Sequence, residues 1–71
     1  MKYLVIVEKA ENNYSAYVPD LPGCVAVGDT VIEAEQMIGE AIEFHIESMK
    51  EEGLVIPQPL TSANYIEVAS Y

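Results

Sequence analysis

The sequence predicts a small α+β domain of order β-β-β-α-β, in which one helix packs on a mixed four-stranded sheet. Three short strand-like runs come first, a single amphipathic helical segment follows, and one alternating run comes last. The 71 residues fit a single domain, residues 1–71. Hydrophobic residues make up 51% of the chain, which is enough to form a core and excludes a disordered acidic tail.

Four runs have the composition of strands. The predicted strands are Tyr3–Val7, Tyr14–Val18, Cys24–Val27 and Asn64–Ala69. Asn12 and Asn13 form a turn signal between the first two runs, which is typical of a hairpin. The third run is closed by Gly28, and the fourth follows an extended crossing that holds Pro57 and Pro59.

The helix has clear start and stop signals. Thr30 and Glu33 fit a capping box, in which each side chain accepts a hydrogen bond from the other residue's backbone N–H. Gly53 is typical of a C-terminal stop, so we expect the helix to extend to about Glu52. At 100° per residue, the apolar side chains gather on one face and the glutamates on the opposite one. The apolar face holds Ala34, Met37, Ile38, Ala41, Ile42, His45 and Met49.

One helix covers only one face of such a sheet. The first strand is apolar on both faces, with Leu4 and Ile6 alternating with other apolar residues, so we expect something else to cover the second face. A domain of this size usually needs additional stabilisation, and one cysteine cannot form an intramolecular disulfide. We therefore predict a homo-oligomer, a dimer or a tetramer. Its predicted interface residues are Tyr65, Ile66, Val68 and Tyr71.

The charge balance restricts the class of partner. Three lysines, no arginine and twelve acids give a net charge of −9. Nucleic acids are bound by neutralising phosphates with Lys and Arg, so the composition argues against nucleic-acid binding, and anionic membranes would also repel the chain. A basic protein is the complementary partner. The apolar run Tyr3–Val7 is too short for a signal peptide or a membrane span, so we predict a cytoplasmic protein.

The segment YVPDLPGC, residues 17–24, contains the single cysteine and two prolines. A nucleophilic thiol needs a neighbouring base or positive charge, and the sequence offers Cys24 neither an arginine nor a nearby histidine. Leu21, Pro22 and Gly23 suit a type II turn, since Pro sets the first central φ and Gly supplies the positive φ of the second. We interpret the segment as a rigid corner in which Cys24 packs as a small hydrophobic residue.

The remaining candidates for chemistry also favour a structural interpretation. His45 has no second metal ligand three or four residues away, so it lies either at the edge of the core or in an interface. Glu43 and Glu47 could pair, but they belong to the outward acidic face of the helix. We therefore predict no catalytic residue, no metal site and no cofactor.

Several motifs together point to a known family. Residues 14–24 read YSAYVPDLPGC, Gly28, Asp29 and Thr30 follow, and the helix carries Glu33-Ala34 and Ala41-Ile42. From Glu8 through Met49 this pattern resembles the HicB-like antitoxin family of short bacterial proteins. The resemblance implies a partial ribonuclease H-like fold: a three-stranded antiparallel meander, a helix, and a fourth strand beside the first.

The same resemblance implies a function. Family members of the toxin–antitoxin type bind and neutralise a small basic HicA-like toxin that cleaves mRNA, and they are not enzymes. The alternative is a stand-alone regulatory or ligand-sensing domain of the same fold without a toxin partner. Family members usually continue into a DNA-binding segment, whereas this sequence stops at Tyr71, so we expect no C-terminal DNA-binding domain. Ribonuclease H enzymes need a carboxylate in strand one for their metal ions, and Tyr3–Val7 has none.

We predict that partner binding combines the corner with the start of the helix. The predicted contact residues are Tyr17, Asp20, Leu21, Pro22, Asp29 and Glu33. The carboxylates can pair with Lys or Arg of a basic partner, and a rigid corner loses little entropy when it docks. Two orientations of Leu21 are compatible with the sequence: it points outward as an apolar anchor, or it folds back and caps the end of the sheet.

Overall fold

The computed structural model describes residues 1–70 and contains three antiparallel strands and one helix. The elements are β1 (Ile6–Lys9), β2 (Tyr14–Tyr17), β3 (Val25–Gly28) and α1 (Val31–Glu51). The strand order is β1-β2-β3, so β2 is the central strand. The predicted α+β class and the β-β-β-α order of the first four elements are confirmed. The predicted fourth strand is wrong: Asn64–Ala69 forms neither strand nor helix.

The register of β2 separates the two faces of the sheet. One cross-strand row consists of Val7, Ala16 and Ala26, and an adjacent row of Ile6, Tyr17 and Val25. The first row packs in or against the core, whereas the side chain of Val25 in the second row is 66% exposed. Since alternate residues of a strand point to opposite faces, the sheet has an inner face on α1 and an outer face that α1 does not cover.

The core lies between the inner face of the sheet, the corner and the N-terminal half of α1. Its buried residues are Ala16, Val18, Leu21, Cys24, Ala34 and Ile38. Partly buried side chains surround it, namely Tyr3, Val5, Val7, Tyr14, Ala26, Ala41, Ile42 and Ile46. The predicted apolar stripe of the helix therefore supplies the core, but only its first half is fully buried.

Both ends of α1 are capped by local hydrogen bonds. The Thr30 hydroxyl accepts from the Glu33 N–H at 3.0 Å, as predicted. The Glu33 carboxylate accepts from the N–H of Asp29 at 3.0 Å, not from Thr30, because the Asp29 amide lies just beyond the last pair of the β2–β3 ladder. At the other end, Gly53 has a φ of +71°, and Leu54 donates to the Met49 carbonyl, which is a Schellman stop.

Residues 54–70 return to the sheet without joining it. Among the described residues, tertiary hydrogen bonds hold this segment at two points, from the Tyr3 hydroxyl to the Pro57 carbonyl and between Thr61 and the Asp20 carboxylate. Beyond Thr61, a groove lined by Leu4–Val7 and Ala63–Tyr65 separates the chain from β1. No backbone hydrogen bond crosses this groove within the described part of the chain, so residues 64–69 do not form a fourth strand of the sheet.

Gly28 is the last residue of β3 and lies close to the start of α1, and this close approach predicts an effect of substitution on stability. A Cβ there would lie 2.5 Å from the Ala34 nitrogen and 2.9 Å from its Cα, both backbone atoms. Relieving this contact requires the helix to shift, so we expect Gly28→Ala to lower the free energy of unfolding by ~1–3 kcal/mol. Urea unfolding followed by circular dichroism measures it.

The matched control is Gly39→Ala within α1. A Cβ at this position meets nothing within 4 Å, so alanine should raise stability by about 1 kcal/mol through its helix propensity. Gly28→Ala unfolding at the same urea concentration as the unsubstituted chain would contradict the close approach of β3 and α1.

Candidate protein-binding surface

The corner between β2 and β3 consists of two consecutive tight turns. The Leu21 N–H donates to the Val18 carbonyl at 3.1 Å, and the Cys24 N–H donates to the Leu21 carbonyl at 3.0 Å. Gly23 has a φ of +83°, which the second central position of the predicted type II turn requires. A bond of 3.2 Å from the Val18 N–H to the Cys24 carbonyl closes the base of the corner. The predicted turn at Leu21–Cys24 is therefore present, and three backbone hydrogen bonds hold the corner.

Every third residue of the corner points into the core. Val18, Leu21 and Cys24 are all buried, and Leu21 has 0% of its surface exposed. The interpretation of Leu21 as an outward partner anchor is therefore wrong, and the folded-back alternative describes the structure. The physical reason is that Leu21 joins the two turns through its own N–H and carbonyl, which directs its side chain at the helix side of the sheet. Its neighbour Pro22 is exposed.

The environment of Cys24 is that of a packed side chain. Its thiol is buried, and burial raises the pKa of the Cys24 thiol. A nucleophilic cysteine needs the opposite shift, toward the thiolate. Among residues 1–70 no group of three or more His, Cys, Asp or Glu side chains has a metal-binding arrangement. His45 is half-buried on α1.

The Asp20 carboxylate of the corner is already engaged by the C-terminal segment. One of its oxygens accepts from the Thr61 N–H at 3.0 Å and the other from the Thr61 hydroxyl at 2.7 Å. These hydrogen bonds, that of the backbone N–H first, lower the pKa of Asp20. We call this pair the Asp20–Thr61 clasp. Sequence reasoning missed Thr61, because nothing local to it indicates a contact with a residue 41 positions away.

The outer face of the sheet carries an exposed apolar patch. We define the outer-face patch as Ile6, Tyr17, Val25 and Val27. Val25 is 66% and Val27 58% exposed, and Tyr17 lies between Ile6 and Val25 in its cross-strand row. Sequence reasoning identified Tyr17 but missed both valines, although the alternation within Cys24–Val27 signals that Val25 and Val27 face away from Cys24.

The predicted contact residues do not form a single cluster. Tyr17 and Asp20 belong to the corner end of the sheet, since Tyr17 pairs with the first residue of β3. Asp29 and Glu33 lie beyond the last residue of β3, and Asp29 is four residues past Val25, roughly 14 Å along the strand direction at ~3.4 Å per residue. The side chain of Glu33 is held at the start of the helix by its bond to Asp29. The outer-face patch spans the interval between the two groups.

Comparison with known proteins adds independent information. The family model "HicB_like antitoxin of bacterial toxin-antitoxin system" matches residues 3–71. The chain is 41% identical over 71 residues to an uncharacterized 14.9 kDa protein of Haemophilus phage HP1, and it spans about half of that relative, 53%. It is 48% identical over 59 residues to a UPF0150 protein of Thermoplasma acidophilum, covering 82% of this chain and 86% of that one.

A solved structure has the same architecture. A chain of the HicA3 and HicB3 toxin-antitoxin complex superposes with a TM-score of 0.72 at 30% sequence identity. The match covers 84% of this chain and 70% of that chain. Among the described residues, no helix is both long enough and apolar enough to span a bilayer.

The burial of Leu21 generates a second stability prediction. Leu21→Ala should lower the free energy of unfolding by ~2–5 kcal/mol, because it removes a fully buried side chain and leaves a cavity under the corner. Leu60→Ala is the matched control, since Leu60 is 85% exposed and its truncation should change stability by less than ~0.5 kcal/mol. Thermal melts of the two variants that coincide would show that Leu21 is not part of the core.

The Asp20–Thr61 clasp generates a prediction on pH. The pKa of Asp20 is lower in the folded state than in the unfolded chain, so the clasp stabilises the fold fully when the pH is above the unfolded-state pKa. This contribution is lost as the pH falls through the folded-state pKa of Asp20. NMR titration should place the Asp20 pKa below the range of an ordinary aspartate. Thr61→Val removes the hydroxyl donor and keeps the backbone N–H, so the Asp20 pKa should rise part of the way back. An Asp20 that titrates identically in both proteins would contradict the clasp.

Proposed function

Since this chain belongs to the HicB-like antitoxin family, we propose that it is a non-catalytic antitoxin that binds and neutralises a small, basic HicA-type toxin that cleaves mRNA. The outer-face patch carries the proposal. Tyr17, Val25 and Val27 lie exposed on a face that α1 leaves uncovered, in a chain whose net charge is −9. The similar chain in the HicA3 and HicB3 complex supports a toxin as the partner.

The chemistry of the surface suits such a partner. Protein interfaces combine a desolvated apolar centre with a polar rim, and aromatic residues are the frequent anchors. Here the outer-face patch is the centre with Tyr17 as its aromatic residue, and Glu8 and Ser15 lie in the cross-strand row of Val27. Acidic groups attract a basic protein during encounter and select it over acidic competitors.

Neutralisation follows from competition for the same positive surface. A protein that cleaves RNA needs Lys and Arg side chains to hold the phosphate backbone. An acidic protein bound over those side chains excludes the RNA without any chemical step. The proposal therefore includes no enzymatic activity and no direct binding of nucleic acid by residues 1–71, and it assigns the protein to the cytoplasm, where its partner would meet mRNA.

The proposed contact surface combines both ends of β3 with the strand between them. Tyr17, Asp20 and Pro22 contribute from the corner, and Asp29 and Glu33 contribute carboxylates at the start of α1. The valines of the outer-face patch connect the two groups. Leu21 is buried beneath the corner, where it stabilises the conformation of the corner without contacting the partner. Partner cations that approach Asp20 compete with Thr61, since the clasp already uses both carboxylate oxygens.

A charge placed in the patch tests the proposal. Val27→Lys should weaken the affinity for the purified basic toxin by at least ~10-fold, because a like charge is buried against a positive surface. Calorimetry measures the affinity, and cleavage of an RNA substrate by the toxin measures neutralisation. The exposed position on a sheet edge should accept lysine, so thermal melts should show a folded variant.

Val55→Lys is the matched control for Val27→Lys. Val55 is 89% exposed and lies in the C-terminal segment, outside the patch, so this variant should keep its affinity within ~2-fold. Equal weakening by the two lysines would attribute the effect to net charge, not to the outer-face patch. An unsubstituted chain that leaves the toxin fully active and unbound would refute the antitoxin function and favour the stand-alone regulatory alternative.

A further inference from the structure

The outer face of the sheet brings a carboxylate and an aromatic ring close together. Glu8 of β1 lies directly opposite Ser15 of β2, and Tyr17 follows two residues later on the same face. Glu8 and Tyr17 are therefore a diagonal cross-strand pair, whose positions are ~7–8 Å apart and within reach of long and aromatic side chains. Both side chains are exposed, so a group of another molecule can contact the two at once.

The Glu8 carboxylate is the charge of this face. Glu8 is the single acid within the three strands, and its neighbour Lys9 points to the opposite face of the sheet because side chains alternate. Within residues 1–70, the carboxylates that accept hydrogen bonds are those of Asp20 and Glu33. Glu8 thus keeps its oxygens for a donor from another molecule.

A guanidinium group suits such a pair better than an ammonium group does. Arginine presents a planar fork of N–H donors that binds a carboxylate through two parallel hydrogen bonds, and its flat face stacks on an aromatic ring. Lysine has a compact charge without a stacking plane. Ile6 and Val25 lie on either side of Tyr17 in its cross-strand row, and apolar neighbours that exclude water strengthen a cation's attraction to the ring.

We propose that Glu8, Ser15 and Tyr17 form a recognition site for an arginine side chain of the basic partner. The guanidinium stacks on the Tyr17 ring and donates to the Glu8 carboxylate, and the Ser15 hydroxyl accepts a further N–H. This inference rests on the proposed function and deepens it, since it names the chemical group of the partner that the outer face of the sheet recognises.

Charge and composition identify the source of the arginine. A second copy of this chain cannot supply it, because the 71 residues contain no arginine. Nucleic acids and anionic membranes carry the wrong charge for Glu8. A protein that cleaves RNA has Arg and Lys side chains on the surface that holds the phosphates. An arginine engaged by Glu8 and Tyr17 is withdrawn from the RNA, so the site contributes to neutralisation as well as to affinity.

NMR titration with N-acetyl-arginine amide tests the site without the partner. The amide and ring signals of Tyr17 should move, and N-acetyl-lysine amide at equal concentration should move them at least ~3-fold less. Glu8→Gln removes the charge at nearly constant size and should reduce the arginine response to a similar degree. Glu43→Gln, at an exposed acid of α1, is the matched control and should leave this response unchanged. Equal responses to the two amides, or an undiminished response in Glu8→Gln, would overturn the proposal.

A double-mutant cycle tests the site in the complex with the purified basic toxin. Glu8→Gln and Tyr17→Leu should each raise the dissociation constant at least ~5-fold, whereas Glu43→Gln should change it by less than ~2-fold. If both residues hold one arginine, the double variant should lose less than the product of the two single effects. Fully multiplicative losses would overturn the shared site. Thermal melts check that these exposed positions accept the substitutions.

The two experiments separate this inference from the antitoxin function. An unsubstituted chain that does not bind the toxin would refute the antitoxin function, and the NMR titration would still decide whether the sheet recognises a guanidinium group. Conversely, a toxin that binds the unsubstituted chain and the Glu8→Gln variant equally well would support the antitoxin function and overturn the arginine site.

Discussion

The packing of the domain depends on the two hydrogen-bonded turns of the corner, because they bury three of the six core residues that residues 1–70 contribute, within a seven-residue span. Val18, Leu21 and Cys24 point inward at a regular spacing of three, and Ala34 and Ile38 of α1 pack against them in the same core. The close approach of the Gly28 backbone to Ala34 brings the start of the helix onto this cluster. A core this small has no redundancy, so each of these contacts carries a large share of the stability.

A single helix on a three-stranded sheet leaves apolar surface that the chain cannot cover by itself. The outer-face patch is one place where this surface is exposed, and β1 also has a free edge, along which Leu4–Val7 are half-buried. β1 itself carries Glu8 and Lys9, whereas six of the twelve acids lie on α1.

The Asp20–Thr61 clasp connects these two regions. Asp20 belongs to the corner, next to the outer-face patch, and Thr61 directly precedes the stretch that lies beside β1. A cation that binds Asp20 would compete with Thr61 for the carboxylate, and protonation of Asp20 at acid pH would weaken its hydrogen bonds to Thr61. Both effects follow from the same two hydrogen bonds, which also lower the pKa of this carboxyl.

The sequence by itself determined the features that depend on neighbours a few residues apart. The helix, its Thr30 cap, the Gly53 stop and the turn at Gly23 each rest on contacts between residues three to five positions apart, which composition and spacing reveal. Only the tertiary structure decided the features that join distant segments. The inward orientation of Leu21 depends on the packing of the corner against α1 in one core. The partner of Asp20 and the failure of Asn64–Ala69 to pair with β1 depend on how the helix places residues 54–70 relative to the sheet, and no local pattern encodes that placement.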